Sequence, residues 1–289
     1  MQLKTVHFTF TLLTPCFSGT ALGKQDNHAE MRIPPIRGHV RFWHRTLFGS
    51  ENCNTVWGSA SGDKGKASVV ALRFVGPVSQ QQASPKAFVL PHKPAPQPRQ
   101  PDFRGPRPAL AAEQQFVIEL QRLVGCNESD WLNAQRALKA WLLLGCLGLR
   151  SNRAAGSVWP VADWVPTDRD SLKAELVKLG LRNLTVALIG LGKNKTPAQL
   201  RETASDTIQG NPHQRVFGGI KPERHPSPTK FKVIRLGQQY CLLAWAPDTQ
   251  IVGNDSQRRL ILTEAKQLLS TKPNRGRWLA LGEWDYIFP

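Results

Sequence analysis

Cysteine is scarce in this sequence, and its spacing excludes several classes of protein. The chain has five cysteines in 289 residues, at positions 16, 53, 126, 146 and 241. No two of them form a C-x-x-C pair, and no ladder of cysteine and histidine has the spacing of a zinc site. The scattered, odd set predicts reduced thiols in a cytoplasmic protein rather than a disulfide scaffold. We expect no bound metal and no other cofactor.

Long apolar runs are also missing. No segment approaches the ~18 consecutive apolar residues that a membrane-spanning helix needs. At the N-terminus, Val6, Phe8, Phe10 and Leu12 alternate with polar residues. A period of two predicts a strand with one buried face rather than a signal helix. The sequence therefore predicts a chain without a membrane partner.

The motifs of nucleotide hydrolysis and of common enzymes do not occur. The chain has no G-x-x-x-x-G-K-[ST], no G-x-S-x-G and no H-E-x-x-H, and its glycine-rich stretch lacks G-x-G-x-x-G. One acid is of interest, because Asp26 lies two residues before His28 and such a carboxylate can act as a base in RNA cleavage. An exposed aspartate in a turn is the commoner interpretation of that pattern.

Acidic residues are few relative to basic ones. Lysine and arginine number 38 against 21 aspartates and glutamates, which gives a net charge of +17. An excess of this size favours a polyanionic partner, most often nucleic acid and less often an anionic membrane surface. The alternative is a basic protein with no such partner.

A row of arginines marks one predicted helix, which we place at residues 36–48. Its apolar face repeats at helical spacing and consists of Ile36, Val40, Trp43 and Leu47. Arg37, Arg41 and Arg45 repeat every four residues on a neighbouring face, and no acid lies between Met31 and Ser50. Like charges at this spacing repel slightly, so the pattern favours a face that meets phosphates. Arg32 precedes this helix and belongs to the same candidate set.

A second basic element follows a predicted helix at residues 130–144. The stretch LGCLGLRSNRAAGSV combines glycines that allow close backbone approach with side chains that bind phosphate oxygens. Its predicted RNA-binding residues are Arg150, Ser151, Asn152 and Arg153. A third cluster contributes Lys221, Arg224 and Lys230, with Phe217 as a candidate aromatic for base stacking. We assign no catalytic residue.

Strand and helix patterns in mixed order predict an α+β fold with mostly antiparallel sheets. The length suits two domains, which we place at residues 1–160 and 161–289. A proline-rich basic insertion interrupts the first domain at about residues 76–109. We also predict a helix over residues 110–124, a strand at 184–189 and a hairpin whose turn is Gly237-Gln238.

Several of these segments resemble the RAMP superfamily of CRISPR effector complexes. The resemblance rests on TPCFSGTA (residues 14–21), EMRIPPIRGHVRFWHR (30–45), VWGSASG with ASVVALR (56–73) and the glycine-rich stretch at 144–158. Within the superfamily, the chain looks most like subunit one of the type III-B (Cmr) complex. The proline-rich segment and the C-terminal helix region are covered least.

The resemblance implies tandem ferredoxin-like (RRM-like) domains. It also implies a non-catalytic subunit that holds guide RNA near its 3′ end with paired target RNA, beside other RAMP subunits. By motif match, it implies RNA contacts for Arg37 and Arg41 in the helix and for Gly148, Arg150, Arg153 and Gly156 in the loop. The chain departs from many relatives at Cys146, Asn152, Ala154 and Ala155, which implies a stiffer and less basic loop. Two alternatives stay open: a metal-independent ribonuclease of the same superfamily that uses Asp26 and His28, and a stand-alone binder of single-stranded RNA.

Overall fold

The computed structural model describes most of the chain, and all structural statements below concern that part. The described residues are 4–19, 28–60, 65–76, 85–93, 106–208, 214–219, 225–247, 251–252 and 259–288. Asp26, Lys221 and Arg224 lie outside them. Within these ranges, no helix is both long enough and apolar enough to cross a membrane.

Strands and helices alternate along the described chain. The strands are β1 (Thr5–Leu12), β2 (Val70–Phe74), β3 (Lys86–Phe88), β4 (Pro106–Pro108), β5 (Gln115–Arg122), β6 (Val158–Pro160), β7 (Leu184–Ile189), β8 (Lys230–Leu236), β9 (Gln239–Pro247), β10 (Ile251–Val252), β11 (Arg259–Leu260) and β12 (Trp284–Phe288). The helices are α1 (Ile33–Trp57), α2 (Glu128–Leu144), α3 (Arg169–Leu179), α4 (Pro197–Ser205), α5 (Gln214–Phe217), α6 (Ile261–Thr271) and α7 (Arg275–Leu279).

Two four-stranded antiparallel sheets organise these elements. The first has the order β2-β5-β1-β6 and the second has the order β12-β7-β9-β8. In each sheet the chain passes through strand, helix, strand, strand, helix and strand, and its first and third strands occupy the centre. This order and topology define a ferredoxin-like unit. The predicted α+β class with tandem ferredoxin-like units is therefore confirmed.

The N-terminal strand follows its sequence pattern. Phe8, Phe10 and Leu12 are buried on one face of β1, as their alternation predicts. β1 pairs with β5 on one side and with β6 on the other. Eight tryptophans and many aliphatic side chains join these strands to the helices in one core that is continuous across both sheets. The domain boundary near residue 160 stays a prediction.

The helix predicted over residues 110–124 is wrong. Residues 115–122 form β5, a central strand that pairs with both β1 and β2. Phe116, Ile118 and Leu120 alternate along it, and the last two are completely buried. β-Branched and aromatic residues suit a strand with neighbours on both sides, and this tertiary context outweighs the apolar spacing that favours a helix.

Helix α1 is longer than the predicted 36–48 and contains a kink. The kink lies at Gly49, whose φ of 81° is open to glycine at little cost. Beyond it the chain resumes its helix and buries Cys53, Val56 and Trp57. The predicted apolar face is confirmed for Ile36, Val40 and Trp43, all of which are buried.

The proline-rich insertion contains a short hairpin. β3 and β4 pair antiparallel, with Lys86 opposite Pro108 and Ala87 opposite Arg107. These strands form a separate two-stranded sheet. Proline has no backbone N–H to donate, so the prolines of β4 keep this strand out of the centre of a larger sheet.

Candidate nucleic-acid interface

The glycine-rich stretch forms a loop, residues 145–157, between α2 and β6; we call it the glycine loop. Its backbone is tied to neighbours on two sides. Leu149 N–H donates to Phe17 O at 3.0 Å, and Ala154 N–H donates to Phe231 O at 3.0 Å. The second bond, with a parallel bridge between Arg153 and Phe231, attaches the loop to the edge strand β8 of the second sheet. The loop is therefore a fixed element that joins the two halves.

Gly148 and Gly156 are required by packing within the protein. Both have positive φ, +84° and +61°. A Cβ at residue 148 would lie 2.7 Å from Phe17 O, and one at residue 156 would lie 2.0 Å from Leu147 O. The sequence predicts that these glycines let RNA approach the backbone. In the structure they let the chain's own backbone approach instead.

Arg153 points into the protein, and the phosphate contact predicted for it does not fit its position. Its side chain is 5% exposed. Nη1 donates to Ser227 Oγ at 3.1 Å and Nη2 donates to Phe217 O, while the guanidinium lies 5.6 Å from the centre of the Phe217 ring. Burial, with a smaller contribution from Arg150, lowers the pKa of Arg153 to about 9. Arg153 thus connects the loop to the second half.

Phe217 is correspondingly unavailable to a base. The sequence predicts a stacking aromatic at this position, and that prediction is wrong. The side chain is 4% exposed and packs against Phe231, with ring centres 6.4 Å apart. The residues that bury Phe217 come from elements distant in sequence. The glycines next to it in the sequence therefore do not predict its burial.

Lys230 and Asn152 meet at the same junction. Lys230 Nζ donates to Asn152 Oδ1 at 3.1 Å and to Ser227 O at 2.9 Å. Burial lowers the pKa of Lys230 to about 8, and the nearby Arg153 charge adds to the effect. An acceptor at residue 152 stabilises this ammonium group, whereas an arginine there would repel it. The departure from the family pattern at Asn152 therefore has a local structural reason.

Arg150 differs from Arg153 in its hydrogen bonds: Arg153 donates from both terminal nitrogens, and Arg150 donates from neither to a described residue, although the Nε atoms of both lack a partner there. The backbone of Arg150 is left-handed, with φ of 63°, a conformation that is uncommon outside glycine. Its buried Nε has no hydrogen-bond partner in the described part of the chain, and no carboxylate there pairs with its guanidinium. Burial lowers the pKa of Arg150, and the Arg107 charge lowers it further. Ser151 beside it is half-buried. This side of the loop carries positive charge without an internal counter-ion.

Two arginines of the α1 stripe are engaged inside the protein. Arg41 Nη1 donates to Trp57 O at 3.0 Å and to Gly58 O at 2.7 Å, and Arg37 Nη2 also donates to Trp57 O. Carbonyls at a helix C-terminus lack intrahelical partners, so the two cations cap the second segment of α1. Both side chains are half-buried, and the cap occupies some of their N–H donors.

The other two arginines of this set remain more open. Arg45 is exposed, and among the described residues it forms no ion pair. Arg32 is the N-cap residue of α1, and its buried Nε has no partner in the described residues. No hydrogen bond or ion pair among the described residues joins the side chains of Arg37, Arg41 or Arg45 to the glycine loop.

A cleft opens between α1 and the second sheet, with a volume of about 710 Å³. Among the described residues its walls are aromatic, proline and polar or basic side chains, and none of these is acidic: Phe42, Gln214, Arg215, His225, Pro226, Ser227, Pro228, Lys230, Trp245 and Pro247. Phe42 is 41% exposed, and its ring centre lies 6.4 Å from that of Trp245. Exposed aromatic faces beside cations are typical of sites that stack bases and bind phosphates.

The sequence patterns do not predict this cleft, and Phe42 is the residue that could have indicated it. The residue is a large aromatic on α1 outside the apolar face that repeats at Ile36, Val40 and Trp43. The approach of Trp245 and Arg215 to that helix depends on the packing of the two halves, which no local pattern encodes.

The candidate catalytic pair cannot be described as a unit, since Asp26 lies outside the described residues. His28 is half-buried. In the described ranges, no group of three or more metal-binding side chains comes together. All five cysteines are buried and unpaired, in agreement with the predicted reduced thiols.

Two ferredoxin-like sheets joined through a basic glycine loop define a tandem ferredoxin-like protein. The sequence model of the RAMP superfamily matches residues 9–159, more than half of the chain. The chain belongs to the RAMP superfamily, and the resemblance seen in its motifs is confirmed.

Solved structures share this fold at low sequence identity. Cmr1 from Pyrococcus furiosus, in its apo form, is 17% identical and aligns over 100% of this chain and 99% of its own, with a TM-score of 0.61. A chain of the type III-B Cmr-beta complex bound to cognate target RNA is 10% identical, over 86% of this chain and 94% of that one, with a TM-score of 0.53. No curated protein sequence matches the chain.

Proposed function

We propose that this chain is a non-catalytic RNA-binding subunit of a type III-B CRISPR (Cmr) effector complex. It holds guide RNA near its 3′ end together with the paired target RNA, and it contacts other RAMP subunits. The observation that carries the proposal is the outer side of the glycine loop, where Arg150 lacks both a carboxylate and a partner for Nε in the described chain. Membership of the superfamily and the shared fold with Cmr1 support it.

The glycine loop suits an RNA backbone because one of its sides is attached to the protein and the other is available to a ligand. Arg153 and the Ala154 N–H hold one side against β8. A fixed loop loses little conformational entropy when a ligand binds to its other side. The arginine fork matches the geometry of a phosphate, and phosphate contacts position a strand without reading its sequence.

The cleft supplies the second part of the proposed RNA surface. Phe42 offers a partly exposed ring, and Lys230 and Arg215 offer positive charge on the same walls. A base that stacks on Phe42 would place its phosphate within the basic rim. Stacking of this kind contributes ~1–3 kcal/mol per base and tolerates any sequence, as a guide-holding subunit requires.

The binding role is tested with the full chain and a labelled single-stranded RNA of about 20 nucleotides. We expect salt-sensitive binding, since each phosphate contact changes the slope of log K against log[salt] by ~0.7 for single strands. Arg150→Asn removes the charge while keeping a residue that tolerates positive φ. The variant should weaken binding and flatten the slope by about 0.7.

The matched control is Arg182→Ala, because Arg182 is an exposed arginine that belongs to neither the loop nor the cleft. It should change the slope much less. Equal slopes for wild type and Arg150→Asn would contradict the phosphate assignment, and absence of RNA binding at about 50 mM salt would contradict the proposed function.

The non-catalytic part of the proposal has its own test. Labelled guide and target RNA are incubated with the chain alone and with the assembled complex, and variants Asp26→Ala and His28→Ala of this chain are compared with wild type. We expect neither variant to alter any cleavage seen. Cleavage that requires Asp26 or His28 would support the ribonuclease alternative instead.

A further inference from the structure

The inserted hairpin lies directly against the glycine loop. A small apolar cluster joins the two: Val89, Leu90 and Ala109 come from the insertion, and Phe17 and Ala155 come from the loop and its neighbour. All five are buried. The described part of the insertion is therefore built onto the candidate RNA surface.

The second half of the chain holds the hairpin from another side. Arg201 of α4 donates through Nη2 to Phe88 O at 2.6 Å, and its guanidinium lies 5.1 Å from the Phe17 ring centre. His92 Nδ1 and Ser205 Oγ form a hydrogen bond of 2.8 Å. These contacts fix the base of the insertion at the junction of loop, hairpin and α4.

Arg107 projects from this fixed hairpin on the side of the loop. It lies in β4, two residues before Ala109, and side chains two residues apart in an extended chain project to the same side. Ala109 belongs to the same buried cluster as Ala155 of the glycine loop. The Arg107 charge also contributes to the lowered pKa of Arg150, as expected of neighbouring cations. Arg107 itself is exposed.

We propose that Arg107 and Arg150 bind the same phosphate of an RNA strand, which makes the insertion part of the RNA-binding surface. This inference rests on the proposed function and extends it to a residue outside the loop. The two charges repel each other, and no carboxylate among the described residues pairs with either, so an anion that lies between them is stabilised by both. A phosphodiester oxygen pair accepts hydrogen bonds from both guanidinium forks and removes that repulsion.

The test is a double-mutant cycle with the full chain and a labelled single-stranded RNA of about 20 nucleotides. The variants are Arg107→Ala, Arg150→Asn and the double variant, with Arg182→Ala as control. Far-UV circular dichroism and thermal unfolding verify that each variant is folded. Arg107→Glu provides a second variant at the exposed site, where reversed charge should weaken binding more than alanine does.

A shared phosphate predicts non-additive losses. Each single variant weakens binding roughly fivefold at about 100 mM salt and flattens the salt slope by about 0.7. The double variant then loses little more than either single one, and its slope changes by about 0.7 rather than 1.4.

Other outcomes overturn the inference in distinguishable ways. Additive losses with a slope change of about 1.4 would mean that the arginines meet different phosphates. Full affinity in Arg107→Ala with weak binding in Arg150→Asn would remove the insertion from the RNA surface and leave the proposed function intact. Full affinity in Arg150→Asn removes the shared phosphate as well. A wild-type chain that binds no RNA at about 50 mM salt would overturn both proposals.

Discussion

Arg153 Nη1 donates a hydrogen bond to Ser227 Oγ at 3.1 Å, and this contact joins the glycine loop to the segment that leads into β8. Arg150 lies three residues earlier, and no carboxylate among the described residues pairs with its guanidinium. One short loop thus contains an arginine that is bonded to the second half of the chain and another that has no such bond among the described residues.

The two arginines should respond differently to removal. Arg153→Ala leaves buried carbonyl and hydroxyl partners without a donor and creates space in the core, so it should cost about 2–4 kcal/mol of unfolding free energy. Arg150→Asn should cost less than about 1 kcal/mol, because it breaks no described hydrogen bond and suits positive φ. Urea unfolding followed by circular dichroism measures both. Similar losses in the two variants would contradict the division of roles.

Gly156 should be intolerant of the smallest side chain. Gly156→Ala places a Cβ 2.0 Å from Leu147 O at a φ of +61°, so the backbone must move. We expect a loss of about 3 kcal/mol or more, or a failure to fold. The control is Gly38→Ala in α1, where a Cβ meets nothing within 4 Å and alanine should stabilise the helix by up to about 1 kcal/mol. Thermal unfolding of the pair gives the comparison, and a stable Gly156→Ala would show that the loop packs otherwise.

RNA affinity should fall as pH rises through 8. The pKa of Lys230 is lowered to about 8 by burial and by Arg153, while the nearby Cys146 opposes the shift. Below pH 8 the ammonium group is charged and attracts phosphate; above it, binding an anion requires uptake of a proton. Burial, with a smaller contribution from the Lys230 charge, lowers the pKa of His39. Titration of labelled RNA at pH 7 and pH 9 measures the effect.

Lys230→Gln should bind more weakly at pH 7 and lose most of the pH dependence, and an unchanged pH dependence would exclude Lys230 from the interface.

A second lysine makes stability depend on pH. Lys232 is fully buried, donates through Nζ to Leu142 O at 2.6 Å, and has a pKa lowered by burial to about 7. In the unfolded chain its pKa returns to its ordinary value near 10.5. Between these two values the unfolded state binds more protons than the folded state, so this lysine makes stability rise with pH.

Lys232→Met removes this dependence while keeping much of the side-chain volume. The unfolding temperature of the variant minus that of wild type should therefore be higher at pH 6.5 than at pH 9.5. A difference between the two proteins that stays constant over this range would show that Lys232 is not desolvated in the folded chain.

Local sequence patterns predict the elements in which apolar residues repeat on one face. The alternation in β1, the strand at 184–189 and the hairpin turn at Gly237-Gln238 all appear as predicted. The helix predicted at residues 130–144 begins two residues earlier, at Glu128, and its cap is Asn127, whose side chain accepts from Asp130 N–H at 2.7 Å. β5 was predicted as a helix because its environment as a central strand comes from distant partners.

The candidate site depends even more on contacts between distant residues, which a local sequence pattern does not reveal. A sequence identifies a basic residue but not its partner, so Arg150 and Arg153 look alike until the second sheet packs against the loop. The burial of Phe217, the cap formed by Arg37 and Arg41, and the position of Arg107 all depend on contacts between residues far apart in the chain. Lys221 and Arg224 lie outside the described residues, and their roles stay predictions.

The most direct test of the central claim is crosslinking within the assembled complex. The complex is prepared with guide RNA that carries photoreactive nucleotides, in the presence and absence of target RNA, and crosslinked peptides of this chain are identified by mass spectrometry. The account predicts crosslinks from the 3′ part of the guide to the glycine loop around Arg150 and to the cleft around Phe42. Crosslinks confined to other surfaces of the chain, or none from an intact complex, would contradict it.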